Sequence, residues 1–217
     1  LFRSAVAELA DLCDTWCTIN EPNVYAMHSY FSGRWPPGQR EMPVYYRVLN
    51  HLLHAHTASY EAIHDVQQRA QVGLAHHMVA FYPLRDTSLA RLMARLVDQG
   101  FNGMVLSALG AGHWHPPIGR KSPLPHLRGA LDWIGLNYYQ RYDVWFDPQH
   151  LGTRLGMNFG PRPGAEPEAP GWGEYYPEGL LQQIRRLTRT LNVPIYITEN
   201  GIPEEVEQRR PGFMLEH

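Results

Sequence analysis

Alternation of strand-like and helix-like segments constrains this 217-residue chain more than any other feature. Four runs, residues 16–19, 71–79, 131–139 and 195–198, read as short strands. Helical periodicity fills the stretches around them. Phe2, Val6, Leu9 and Cys13 share one period, and within residues 44–66 Val48, Leu52, Ala55, Ala62 and Ile63 fall on one face. Leu89, Leu92, Met93, Leu96 and Val97 form a third stripe, with Asp86 or Thr87 as N-cap and Gly100 just past the end. Leu180, Leu181, Ile184, Leu187 and Leu191 form a fourth. Strands separated by helices predict parallel βαβ units, hence an α/β fold with about four parallel strands. Residues 22–43 and 110–125 read as loop or irregular. Residues 152–173, rich in Gly and Pro, are too long for a simple connector and predict a functional loop.

In parallel sheets the functional groups gather at the C-terminal strand ends. Glu21, His77, Asn137 and Glu199 all stand at or near such ends. The two glutamates are the sharpest pair. Each follows a β-run, neighbours an Asn (Asn20, Asn200), and precedes a chain-turning Pro22 or, after Asn200, Gly201. Two carboxyl groups on different strands can face one bond from opposite sides. Glycoside cleavage needs that arrangement: one proton donor for the leaving oxygen and one carboxylate toward the anomeric carbon, roughly 5 Å apart in retaining enzymes.

Composition narrows the field. The length suits one well-packed domain over residues 1–217, and 44% hydrophobic with 18% charged residues suits a soluble globular one. A net charge of −2 offers no basic excess for phosphates, so no nucleic-acid partner is expected. No apolar run approaches about 18 residues, so no membrane span is expected. No targeting segment is visible at Leu1. Cys13 and Cys17 make no disulfide framework, which suits a reducing cytoplasm, and they read as buried small hydrophobes. His51, His54, His56, His76, His77, His113 and His115 lack Cys or acidic partners at familiar metal spacing, so no metal or cofactor is expected.

Five motifs in order then carry a resemblance: Thr18-Ile19-Asn20-Glu21-Pro22, Gly33-Arg34-Trp35-Pro36-Pro37-Gly38, Asp132 through Tyr139, Tyr176-Pro177-Glu178-Gly179-Leu180, and Ile197-Thr198-Glu199-Asn200-Gly201. Over essentially its whole length the chain resembles glycoside hydrolase family 1, the β-glucosidase-like enzymes. The resemblance implies a (β/α)₈ barrel and a small-molecule β-glycoside substrate. It implies Glu21 as acid/base, Glu199 as nucleophile, Asn20 on the sugar 2-hydroxyl and Tyr139 hydrogen-bonded to Glu199. Asn137 would line the site floor and Trp172 the leaving-group side, with Tyr25, Tyr30 and Trp35 nearby. Burial and the nucleophile's charge are expected to raise the pKa of Glu21.

Only four strands are legible, similar to the family's fourth to seventh, so the expectation is a partial barrel. Its open edges predict marginal stability or self-association. Two rivals stand beside the glycosidase: a non-catalytic remnant that binds carbohydrate or only associates, and a metal-dependent hydrolase using the histidines.

Overall fold

The computed structural model describes residues 1–114, 124, 126–151, 156–162, 173–203 and 208–217. Helix α1 (Phe2–Leu9) leads into strand β1 (Thr15–Asn20), followed by α2 (Pro22–Ala26) and a π-helical turn, Met27–Phe31. Helix α3 (Met42–His64) precedes β2 (Gln71–Pro83). Then come α4 (Ser88–Asp98), a π-helical turn at Gln99–Gly103 and α5 (Met104–Ala111). Strand β3 (Trp133–Phe146) is followed by β4 (Met157–Gly160), α6 (Pro177–Thr190), β5 (Ile195–Glu199) and α7 (Arg210–Glu216).

Strand order is β1-β2-β3-β4, with β5 paired to β3. β1 and β2 run parallel. The four expected strands are present, and β4 is a fifth that the alternation did not announce. It pairs antiparallel with the far half of β3, Asp143 opposite Gly160 and Phe146 opposite Met157. That hairpin explains why β3 runs on past Tyr139, and β2 likewise continues to Pro83. His77 and Asn137 therefore lie within strands, not at their ends.

The chain divides into two compact units, and the divisions fall inside β2, β3, α6 and β5 and between the second π-turn and α5. The first holds Leu1–His77, Met104–Asn137 and Thr188–Thr198. Its core includes Val6, Ile63, Ala70 and Val72, with Phe2 and Trp16 packed on them. Gly73 is required in β2 because a Cβ there would lie 2.4 Å from the Trp133 side chain. The buried face of α3 is Tyr45, Leu49, Leu53, His56, Thr57 and Ile63, one step round from the expected stripe. His56 disguised that face. Its Nε2 donates to the Ala130 carbonyl at 2.6 Å and its Nδ1 pairs with the Thr18 hydroxyl at 2.7 Å, so an imidazole satisfies both ring nitrogens in the core. Asp132 is a second tie, accepting from the Tyr60 hydroxyl (2.8 Å), the Val72 N–H (2.8 Å) and His64 (3.0 Å). Cys13 and Cys17 are exposed, contrary to expectation. They sit at the turn before β1 and on that edge strand, where little packs over them.

The second unit holds Met78–Gly103, Tyr138–Leu187 and Glu199–His217. Thr87 caps α4 by accepting from the Ala90 N–H at 3.2 Å. Met93 and Ala94 turn inward with Val144, while Leu89 and Leu92 of the expected stripe are exposed. Gly100 does not end this helical run. The chain continues through the π-turn because buried Asn102 pairs with both backbone groups of Val79, accepting at 3.0 Å and donating at 2.7 Å. On α6, Leu180 and Leu187 are buried and Leu181 is exposed. Fully buried Asp143 accepts from Arg141 at 2.8 Å and Arg162 at 2.9 Å, so its charge is paired on both oxygens.

Candidate active site

Glu21 stands where β1 turns into α2, with its backbone in the left-handed region (φ 47°, ψ 58°). A residue with a side chain pays on the order of 1–2 kcal/mol for that conformation. Backbone bonds hold it there. Its N–H donates to the Ala75 carbonyl at 2.8 Å, and its own carbonyl accepts from the N–H groups of Val24 and Tyr25, each at 3.1 Å. Pro22 suits the first helical position, where an N–H would have no intrahelical partner. Just upstream, the register of β1 on β2 shifts between Cys17 and Asn20. Such a shift re-aims side chains next to it.

The Glu21 carboxyl group is part of a polar cluster. His77 Nδ1 and Asn137 Nδ2 each lie 3.0 Å from its Oε1. An ionised carboxyl only accepts, so both nitrogens donate. Asn137 Nδ2 also donates to Asn20 Oδ1 at 3.1 Å, and Asn137 Oδ1 accepts from the Thr198 hydroxyl at 2.5 Å. Asn137 is fully buried, and these bonds fix which way its amide faces. Asn20 and Glu21 of the first motif and Asn137 of the third thus meet in one network. His77, given no role by the motifs, belongs to it as well. The available signal was its place in the polar pair His76-His77 of an otherwise apolar strand. The His77 carbonyl is in turn bonded by Asn23 Nδ2 at 2.9 Å.

These contacts reverse one expectation. Burial is the largest single influence on Glu21 and raises its pKa, but the His77 bond, the His77 and His76 charges and the Asn137 bond together outweigh it. The net pKa is lowered, not raised, because donors aimed at Oε1 favour the charged form.

Glu199 ends β5, and the Tyr139 hydroxyl donates to its Oε2. Next to it, Asn200 Nδ2 donates to the Tyr138 carbonyl at 2.7 Å, which ties the chain after Glu199 to β3. Trp172 lies outside the described residues. After Glu21, Tyr25 and Tyr30 meet edge-on at 6.0 Å, and Trp35, 46% exposed, packs on His28 at 4.8 Å. Among the described residues no group of three or more His, Cys, Asp or Glu is arranged to hold a metal ion. No described helix is long and apolar enough to cross a membrane.

The sequence model of Glycosyl hydrolase family 1 matches residues 3–211. The β-galactosidase of Saccharolobus solfataricus is 28% identical over 95% of this chain and 43% of its own length. β-Glucosidase A of Thermotoga maritima is 28% identical over 92% of this chain and 46% of its own. The chain spans about half the length of these curated relatives. Among solved structures, a β-glycosidase from Pyrococcus horikoshii superposes with a TM-score of 0.83 at 29% identity, covering 99% of this chain and 49% of that one. A family 1 β-glucosidase from Thermotoga maritima superposes with a TM-score of 0.85 at 24% identity, covering 100% and 52%. The fold is accordingly that of a partial (β/α)₈ barrel, with parallel strands and intervening helices. A match over residues 3–211 places this chain in glycosyl hydrolase family 1.

Proposed function

We propose that this chain supplies both catalytic carboxyl groups of a retaining β-glycosidase acting on β-linked glycosides by double displacement. The observation that carries the reading is the unequal support of the two glutamates. Glu199 receives a tyrosine hydroxyl on Oε2, which orients it as a nucleophile. Glu21 receives both of its described side-chain donors on Oε1, which leaves Oε2 for proton exchange.

In the first step Glu199 attacks the anomeric carbon while the Glu21 proton passes to the departing glycosidic oxygen. The bond to the aglycone breaks, and a glycosyl ester forms on Glu199. In the second step Glu21, now ionised, takes a proton from water as that water attacks the anomeric carbon. The sugar leaves with retained configuration, and Glu21 is protonated again. Asn20 bonds the sugar 2-hydroxyl in this reading, a contact that strengthens in the transition state. Asn137 holds Asn20 and Glu21 together. The relatives' names include both β-galactosidase and β-glucosidase, so glucosides and galactosides are the substrates to try first.

Association of β-edges belongs to the same reading. Among the described residues β1 pairs only with β2 and β5 only with β3, and β5 exposes Tyr196 and Ile197. These edges suit further strands, from a second copy or from more of the same protein. Cys13 and Cys17, exposed and not joined in a disulfide, suit a reducing cytoplasm.

A 2-deoxy-2-fluoro aryl β-glycoside tests the mechanism, because its fluorine slows breakdown of the glycosyl ester. The whole protein is expected to be inactivated with one sugar attached, and peptide mass analysis should place it on Glu199. Label on another side chain would contradict the nucleophile. No label and no turnover would favour the non-catalytic remnant.

A further inference from the structure

We propose that His77 is a positioning residue for the acid/base carboxyl group, fixing which Glu21 oxygen carries the proton delivered to substrate. The inference rests on the double-displacement reading above and deepens it. His77 Nδ1 lies 3.0 Å from Glu21 Oε1, and the two side chains are only 10% and 18% exposed. The acceptor is a carboxyl oxygen, so Nδ1 must carry the hydrogen. Asn137 Nδ2 donates to the same oxygen, also at 3.0 Å.

Two donors on one oxygen have a definite chemical consequence. When Glu21 is protonated, a hydrogen on Oε1 would meet both N–H groups head-on. The proton is therefore confined to Oε2, and Oε1 serves as the doubly hydrogen-bonded carbonyl oxygen. When Glu21 is ionised, the same donors hold the charge and keep the side chain from rotating. His77 itself is held by its strand and by the bond from Asn23 Nδ2 to its carbonyl. Asn23 belongs to α2, the helix that Glu21 opens, so the backbone carrying the acid and the side chain orienting it are braced together.

The titratable groups acting on Glu21 are His77 and His76 from β2 and His28 from the π-turn after α2; Arg34 in turn acts on His28. β3 and β5 contribute the uncharged Asn137 and Thr198. Removing His77 leaves burial less opposed, so the Glu21 pKa rises. The acid form then persists to higher pH, and the alkaline limb of kcat/KM moves up by roughly one pH unit. The plateau of kcat falls roughly ten-fold, the effect of losing one hydrogen bond to a charged group.

The experiment compares wild type, His77→Phe and His77→Asn in the whole protein; Asn keeps a neutral donor at the Nδ1 position. The pH profile of kcat/KM is measured beside the carbon-13 titration of the Glu21 carboxyl carbon, assigned with Glu21→Gln. Should His77→Phe fail to fold, His77→Ala removes the same donor. The expected result is that titration and alkaline limb rise together in His77→Phe, while His77→Asn restores most of kcat. A Glu21 titration that does not move would overturn the inference and leave the glycosidase reading standing. A titration that moves while the limb stays put would show that Glu21 is not the acid, overturning that reading and the inference with it.

Discussion

Glu21 and Glu199 are the same residue type after the same kind of strand, yet their surroundings differ. Glu21 opens a helix in a left-handed conformation and takes two nitrogen donors on one oxygen. Glu199 closes the short strand β5, whose middle three residues are exposed, and takes a phenolic hydroxyl. In the proposed mechanism the first setting fixes where a proton sits. The second keeps a carboxylate aimed. Under the proposed double displacement, the difference teaches that role is set by what touches the carboxyl group, not by the motif Asn-Glu or Glu-Asn.

The comparison is broken most directly at Glu199. Glu199→Ala should lower kcat on an aryl β-glucoside by on the order of 10⁴-fold or more, because it removes the proposed nucleophile that forms the glycosyl ester. Glu21→Ala should cost 10²–10⁴-fold, roughly, on glycosides with poor leaving groups and far less on activated aryl glycosides, which leave without a proton. Rates against leaving-group pKa check it.

Stability sharpens the contrast on the Glu21 side. His56 bonds Thr18 of β1, and burial, the main cause, pushes its pKa from 6.5 down to about 4. Between those values the unfolded chain binds the proton and the folded chain does not. Stability should therefore fall as pH drops through that window, by on the order of 3 kcal/mol, and urea melts of His56→Gln should lack the dependence.

Smaller again, Tyr139→Phe removes the hydroxyl from Glu199 and should cost about 1.5–3 kcal/mol of transition-state stabilisation, read from kcat/KM. Thr87→Ala touches neither glutamate. It should cost about 1 kcal/mol of stability through its lost N-cap, with kinetics unchanged.

Strand positions were legible because β-branched and aromatic runs announce themselves, and β1, β2, β3 and β5 lie where the alternation put them. Their lengths were not. β3 runs past its expected end because β4 offers a partner for Asp143 to Phe146 and Glu174 bridges to Arg141, and pairing of that kind is tertiary information. Helix α2 was hidden within an expected loop because its start carries no capping side chain; the turn is made by Glu21's own strained backbone. The buried face of α3 was misread because His56 looks polar in sequence and is core once both ring nitrogens are satisfied. At the site, Asn20, Glu21 and Asn137 were visible as motif residues. The sign of the Glu21 shift was not, since it depends on a histidine 56 positions away arriving at 3.0 Å.

The division of labour between the two glutamates is the central claim, and azide rescue tests it most directly. With an aryl β-glucoside, Glu199→Ala plus azide should give the α-glycosyl azide, because azide displaces the aglycone in a single inversion. Glu21→Ala plus azide should give the β-glycosyl azide, because azide intercepts the glycosyl ester after the first inversion. The same anomer from both variants, or the two reversed, would contradict the account.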